Sequence, residues 1–242
     1  MEIALSGGRV LRMSGIIDRV DLLRQEDLTY VRIIDYKSGN TEFVESEIED
    51  GVNLQLPVYM KAVTDALSGR GQEVRPAGMF YFHLTPQIQR LDKPPTPEEA
   101  ADRAKRGARL SGVALGEPAV LSGMARDPQE LQNILPVRIT KSGKVHGSDA
   151  SKLRTASELE NLSRYTAGRI ASLAEEELSG CIRQYPYRKD SFSVCAYCPY
   201  REACSFDIRQ EGARERWAVR RRREEFWKQI QEVDSYDEGG RS

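Results

Sequence analysis

Apolar and polar residues are interleaved over two segments near the start of the chain. Residues 9–23 and 30–36 carry β-branched and aromatic side chains among polar ones, and the polar triplet Gln25-Glu26-Asp27 lies between the two runs. Alternation of this kind is typical of strands with one buried face, and a polar triplet between two such runs favours a turn. The pattern therefore predicts an antiparallel hairpin.

The next two segments predict a helix and a returning strand. Residues 51–67 carry apolar side chains at helical spacing, and Gly69-Arg70-Gly71 follows them as a stop signal. The bulky run at residues 78–82 fits a buried strand. The order strand, strand, helix, strand leads us to expect an α/β core in which a mixed sheet is flanked by helices.

The second half of the chain predicts further helices. Residues 97–110 follow a possible capping threonine, Thr96, and residues 157–179 carry an apolar stripe. Residues 211–233 predict a charged helix, with a polar tail from residue 234, whereas residues 112–118 indicate irregular structure.

Composition limits the class of protein. The 242 residues are 39% hydrophobic and 30% charged, which suits one large domain, or one domain and a tail, that buries its own core. The formal net charge of -1 gives no global sign of a polyanionic partner, so any contact with DNA has to come from local patches. The sequence contains neither a long apolar span nor a phosphate-binding loop, and we expect a cytoplasmic protein without an ATP site of its own.

Two acids and a lysine on the predicted hairpin suggest a metal site. Asp18 lies in an apolar stretch of the first strand, and Asp35 and Lys37 lie two residues apart on the second, so both leave the same sheet face. Charges buried in an aliphatic run are costly unless they are paired, and two carboxylates on neighbouring strands can share one Mg2+. The alternative is a surface hairpin whose charges are solvated.

The predicted helix adds two polar residues. Gln55 and Tyr59 lie four positions apart and so share one helix face, where Gln55 can hold a water or phosphate and Tyr59 can support the lysine or the DNA backbone. An ordinary polar helix face is the alternative.

Three cysteines form a second candidate metal site. Cys195, Cys198 and Cys204 follow a Cys-x2-Cys-x5-Cys spacing, which lets three thiolates converge on iron–sulfur or zinc. Cys181 is a weaker candidate for a fourth ligand. Three unrelated packed cysteines are the alternative, and spacing alone does not choose between iron and zinc.

Three segments together resemble the RecB-type PD-(D/E)xK nucleases. They are Gly15-Ile16-Ile17-Asp18-Arg19-Val20-Asp21, Ile34-Asp35-Tyr36-Lys37-Ser38-Gly39 and Leu54-Gln55-Leu56-Pro57-Val58-Tyr59. The resemblance implies a restriction-endonuclease-like core that hydrolyses DNA with Mg2+. By the same resemblance Asp18, Asp35 and the Tyr36 carbonyl bind Mg2+, Lys37 is the catalytic lysine, and Gln55 and Tyr59 form the glutamine-tyrosine motif.

The cysteine segment is similar to the end of the AddB family, whose members form one half of bacterial helicase-nucleases. The likeness implies a [4Fe-4S] cluster on Cys195, Cys198 and Cys204, whose fourth ligand in that family precedes the nuclease core. It also implies an AddA-type helicase/nuclease partner and a role as an exonuclease in double-strand-break repair by homologous recombination. We accordingly expect a nuclease domain at residues 1–208, with the cysteine segment 181–204 inside it, and a charged helix and tail at residues 209–242. The alternatives are a stand-alone RecB-like or Cas4-like exonuclease and an inactive DNA-binding or scaffold remnant.

Overall fold

The structure is a computed structural model that describes residues 1–39, 41–85, 94–135, 137 and 152–232. Its strands are β1 (Glu2–Ala4), β2 (Val10–Arg12), β3 (Arg19–Gln25), β4 (Leu28–Lys37), β5 (Glu73–His83), β6 (Ser111–Leu115), β7 (Leu153–Arg154), β8 (Tyr187–Lys189), β9 (Phe192–Ser193) and β10 (Arg216–Trp217). Its α-helices are α1 (Gln55–Ser68), α2 (Pro97–Gly107), α3 (Pro118–Met124), α4 (Pro128–Ile134), α5 (Ala156–Leu178), α6 (Arg201–Cys204) and α7 (Arg223–Glu232).

The central sheet is mixed, as the sequence predicts. Its order is β3-β4-β5-β6-β7, in which β3 and β6 run antiparallel to β4 and β5 respectively, while β4 pairs with β5 in parallel. The pairing of β4 with β5 shifts register at Val31 and Arg32, opposite Pro76. Because proline has no N–H to donate to the ladder, it is tolerated inside a sheet only at such an irregularity.

Helices cover both faces of this sheet. On one face α1, α5 and α7 pack with β4 and β5 around fully buried side chains that include Ile33, Leu56, Leu162 and Phe226. On the other face Leu121 and other residues of α3 and α4 pack with the neighbouring strand residues. The expected mixed sheet with flanking helices is therefore confirmed.

The long helix α5 has clear ends. Thr155 and Glu158 form a reciprocal capping box at its start, and Gly180 adopts a positive φ of 75° just beyond its end, so the predicted stop at this glycine is confirmed. Within the described residues, no helix is both long enough and apolar enough to cross a membrane.

The first strand of the predicted hairpin is wrong in its extent. The sequence predicts one strand over residues 9–23, whereas β2 pairs with β1 in a separate two-stranded sheet and β3 begins only at Arg19. Residues 13–18 connect the two sheets outside any strand. This connection passes close to α1, since a Cβ on Gly15 would meet the Tyr59 ring at 3.8 Å. Asp18 consequently lies just before β3 instead of inside it.

Two further predictions are corrected. Residues 112–118 are not irregular, because β6 runs through Gly112, where a Cβ would lie 2.0 Å from the Met79 carbonyl oxygen and only glycine allows the two strands to approach. The helix predicted over residues 211–233 begins only at Arg223, because Arg216 and Trp217 pair in parallel with β8. Residue 233 and the tail from residue 234 lie outside the described residues, and the division of the chain at residue 208 stays a prediction.

Candidate active site

Strand β4 presents Asp35 and Lys37 on one face near its end. Residues 30–35 of this strand are buried except for Arg32, and Asp35 is only 4% exposed. Residues two apart on a strand face the same side. The aliphatic run therefore carries one buried carboxylate and one half-buried ammonium group towards the start of α1.

Four of the predicted side chains form one hydrogen-bonded network. Lys37 Nζ donates to Gln55 Oε1 at 2.6 Å and lies 2.6 Å from Asp35 Oδ2. The Gln55 amide nitrogen, Nε2, donates to Asp35 Oδ1 and to the Tyr59 hydroxyl, each at 3.0 Å. Gln55 thus bridges the acid, the lysine and the tyrosine, which the sequence placed in two separate segments.

One oxygen of Asp35 suits a cation. Asp35 Oδ2 is buried and accepts no well-formed hydrogen bond from the described residues, although Lys37 Nζ lies within ion-pair distance of it. A buried carboxylate needs a compensating charge, and a hard divalent cation prefers such oxygens. Mg2+ therefore fits the donor chemistry at this end of β4.

Asp18 lies beside this network. Its Oδ2 accepts a hydrogen bond from the Tyr36 backbone N–H at 2.8 Å, and Tyr36 stands between Asp35 and Lys37. The register of β3 with β4 pairs Arg19 with Ile34, so its continuation sets Asp18 opposite Asp35. The structure thus brings Asp18 to the same end of the sheet, while its role as a metal ligand, like that of the Tyr36 carbonyl, stays a prediction.

The second acid of the first motif has a different environment. Asp21 accepts hydrogen bonds from Arg19 Nε at 2.9 Å and from Arg32 Nε and Nη2 at 2.9 and 2.6 Å. Burial alone raises the pKa of Asp21, but the hydrogen bonds from the two guanidinium groups outweigh burial and hold its pKa below the usual value. This carboxylate therefore braces the hairpin.

Tyr81 is a site residue that sequence reasoning missed. It pairs with Asp35 across the β4/β5 ladder, and Lys37 Nζ lies 4.9 Å from the centre of its ring. Burial, aided by the negative charge of Asp35, raises the pKa of Tyr81 to about 12, so its phenol is neutral at pH 7. Only the strand register, which is absent from the local pattern, identifies this neighbour.

The cysteine segment is compact. Cys195 lies in a 3₁₀ turn (Val194–Tyr197), Cys204 ends α6, and Cys198 lies between them with its side chain exposed. Cys181 lies beyond α5, where its thiol contacts Glu176 and Arg183.

The thiols supply the donor chemistry of an iron–sulfur or zinc site. Among the described residues, however, no three histidine, cysteine or acidic side chains are grouped around one point as metal ligands. The arrangement thus does not fit a complete cluster, and the cluster expected on Cys195, Cys198 and Cys204 stays a proposal.

Comparison with known proteins gives consistent relatives, each named as one of the subunits of an ATP-dependent helicase/deoxyribonuclease. Residues 1–205 match the family model described as the PD-(D/E)XK nuclease superfamily. The relative from Thermoanaerobacter sp. (strain X514) is 33% identical over 237 residues, which cover 98% of this chain and 20% of that protein. Relatives of the same name from Clostridium kluyveri (strain NBRC 12016) and Caldanaerobacter subterraneus subsp. tengcongensis are 33% and 34% identical, each over 96% of this chain and 20% of the relative. The chain therefore spans about a fifth of the length of these relatives.

Proposed function

Since the chain belongs to the PD-(D/E)XK nuclease superfamily, we propose that it is a metal-dependent deoxyribonuclease domain that hydrolyses phosphodiester bonds. The observation that carries the proposal is the network of Asp35, Lys37 and Gln55, in which a buried carboxylate oxygen has no well-formed hydrogen bond from the described residues.

Each side chain has a role that follows from its contacts. Asp35, with Asp18 across the strand pair, would hold Mg2+, which when bound supplies an acidified water and neutralises phosphate charge. Lys37, held by Gln55 Oε1 at 2.6 Å, directs its ammonium group at the same point and offsets charge on the phosphate. Gln55 is a positioning residue, because it fixes both the lysine and the acid through one amide.

The setting of this activity is a further part of the proposal. The relatives are named as subunits of an ATP-dependent helicase/deoxyribonuclease, which supports a domain acting on DNA beside an AddA-type helicase/nuclease partner. We place it as the exonuclease of such an enzyme during double-strand-break repair by homologous recombination. The [4Fe-4S] cluster on the cysteine segment belongs to the same proposal.

The test is hydrolysis of linear DNA with Mg2+ by the parent chain and by matched variants. Lys37→Met keeps the length of the side chain but removes its charge, and we expect a loss of about 100- to 1000-fold in rate, the usual effect of removing one such electrostatic group. Asp35→Asn is expected to lose at least as much. Lys61→Met is the control, since Lys61 lies on α1 and pairs with Asp65 away from the network. A parent chain without activity in Mg2+ or Mn2+, or a Lys37→Met variant as active as the parent, would contradict the proposal.

A further inference from the structure

A cavity of about 300 Å³ opens beside the candidate active site. We call it the cationic pocket, because Arg109, Lys152 and Arg223 line it together with His83, against one carboxylate, that of Glu42. This volume lies at the lower end of the range for small-molecule pockets. The cavity is large enough for a phosphate group and part of its sugar.

The charges of the pocket suit an anion. The side chain of Arg223 is partly neutralised by the buried Glu45, whose Oε2 lies 3.2 Å from Nη2. Arg109, in contrast, has a buried Nε without a hydrogen-bond partner among the described residues. An unmatched buried donor costs free energy that an incoming anion can recover. Guanidinium groups with a lysine and a histidine are the side chains that proteins use for phosphate.

The pocket adjoins the catalytic network directly. His83 pairs with Lys37 across the β4/β5 ladder, and Phe43, another lining residue, packs edge-on against Tyr81, whose ring lies under Lys37 Nζ. Neighbouring strands are about 4.8 Å apart, so the pocket lies one to two strand spacings, on the order of 5–10 Å, from the lysine. Successive phosphates advance about 3.4 Å along one strand of a duplex, so this distance corresponds to roughly two or three nucleotides.

We propose that the cationic pocket binds a phosphate group of the nucleic acid strand that Lys37 and Asp35 act on, and thereby fixes the register of that strand at the active site. The inference rests on the proposed function. It adds a second contact point, built from α7 and from the chain on either side of β6. The ligand is a phosphate borne by a strand, either an internal diester or a terminal monoester.

The test is binding of fluorescently labelled single-stranded DNA in EDTA, measured by anisotropy over a range of salt concentrations. Arg109→Gln removes the buried donor and its charge. We expect an affinity three- to tenfold weaker at low salt and a smaller slope of log affinity against log salt, by about 0.7 for one lost phosphate contact. Arg109→Lys keeps the charge and should restore most of the affinity. The matched control is Arg70→Gln, because Arg70 is exposed beside the start of β5, at the opposite edge of the sheet from His83.

Two oligonucleotides, one with and one without a 5′-phosphate, distinguish the sources of the phosphate. An equal loss for both assigns the pocket to an internal diester, and a loss confined to the phosphorylated one assigns it to a terminal monoester; both results support the inference. Competition by inorganic phosphate that abolishes the effect of Arg109 without displacing the DNA would overturn it in favour of a free-anion site.

Failure of the inference is distinguishable from failure of the proposed function. Parental affinity and salt slope in Arg109→Gln, together with Mg2+-dependent cleavage by the parent chain, would overturn the pocket and leave the nuclease in place. Binding that depends on Arg109, in a chain that cleaves no DNA, would support the pocket and overturn the nuclease. A parent chain that binds no DNA contradicts both. Thermal unfolding of each variant confirms that it is folded.

Discussion

Replacing Gln55 by methionine tests the candidate active site most directly. The change keeps the length of the side chain but removes its hydrogen bonds to Lys37 at 2.6 Å and to Asp35 at 3.0 Å. A hydrogen bond to a charged group contributes about 1.5–3 kcal/mol, and the half-buried lysine favours the lower end of that range. Displacing a catalytic group by about 1 Å costs roughly 100-fold in rate, or about 2.7 kcal/mol. We therefore expect kcat to fall about 100-fold.

The assay is steady-state hydrolysis of a labelled linear DNA, with the unfolding free energy measured in parallel by urea titration. Because Gln55 positions other groups, kcat should fall while KM stays within about threefold, since the lost interactions act on the chemical step. The unfolding free energy should drop by about 1–3 kcal/mol, since Asp35 Oδ1 loses its donor.

Tyr59→Phe is the matched control for this experiment. It removes only a hydroxyl that accepts from Gln55 and leaves the bonds of Gln55 to Lys37 and Asp35 in place. Its kcat should stay within about fivefold of the parent. A Gln55→Met variant with parental kcat would refute the positioning role, and so would one whose kcat falls no further than that of Tyr59→Phe.

Three further predictions concern other parts of the chain. Phe226→Ala empties a fully buried site in α7 and should lower the unfolding free energy by about 3–5 kcal/mol, whereas Trp217→Ala, at an exposed residue, should lower it by less than about 1 kcal/mol in the same urea titration. Asp21→Asn should destabilise the fold by about 1–3 kcal/mol at pH 7; the folded-state pKa of Asp21 is lowered, so this difference should be present above the unfolded pKa of about 3.9 and vanish as pH falls through the folded value, which unfolding at pH 7, 5 and 3 measures. Chain purified without oxygen should contain iron and sulfide, and Cys198→Ser should lose both while Cys181→Ser keeps them; equal iron in all three proteins would contradict the assignment of Cys198.

Local patterns predicted the elements whose ends are fixed locally. Strand β4 lies within a continuous aliphatic run, and α5 begins at a capping box and ends before Gly180, so sequence and structure agree there within a few residues. The grouping of Lys37 with Gln55 was also predicted, because the strand and the helix each carry a recognisable pattern. The chemical roles of these residues remain predictions.

What the sequence did not predict depends on contacts between distant segments. Strand β2 leaves the line of β3 because it pairs with β1, and nothing in residues 9–23 records that partner. The basic segment before α7 has the charge pattern of a helix, yet Arg216 pairs in a ladder with Tyr187. Tyr81 joins the site only through its register with Asp35. In each case a tertiary pairing overrides a local preference.

The acidic segment before α1 links the end of the chain to the candidate active site. Asp50 accepts a hydrogen bond from the Val219 backbone N–H at 3.0 Å, and Arg216 Nη1 donates to the Asp50 carbonyl at 2.7 Å. Arg221 pairs with Glu49 at 2.8 Å. Burial raises the pKa of Asp50 in spite of these donors, so geometry and hydrogen bonding, more than charge attraction, hold the contact.

The consequence concerns Gln55, which is the first residue of α1 and lies five positions after Asp50. Lys189, between the cysteines and α5, also pairs with Glu47 of the same acidic segment. The cysteine segment and the strand β10 therefore both brace the loop that sets where α1 begins. Because Gln55 holds Lys37 and Asp35 from that first turn, the geometry of the candidate active site depends on residues more than 130 positions away in sequence. A loosened C-terminal segment should consequently reduce catalysis before the sheet itself unfolds, since the strands keep their own ladder and core.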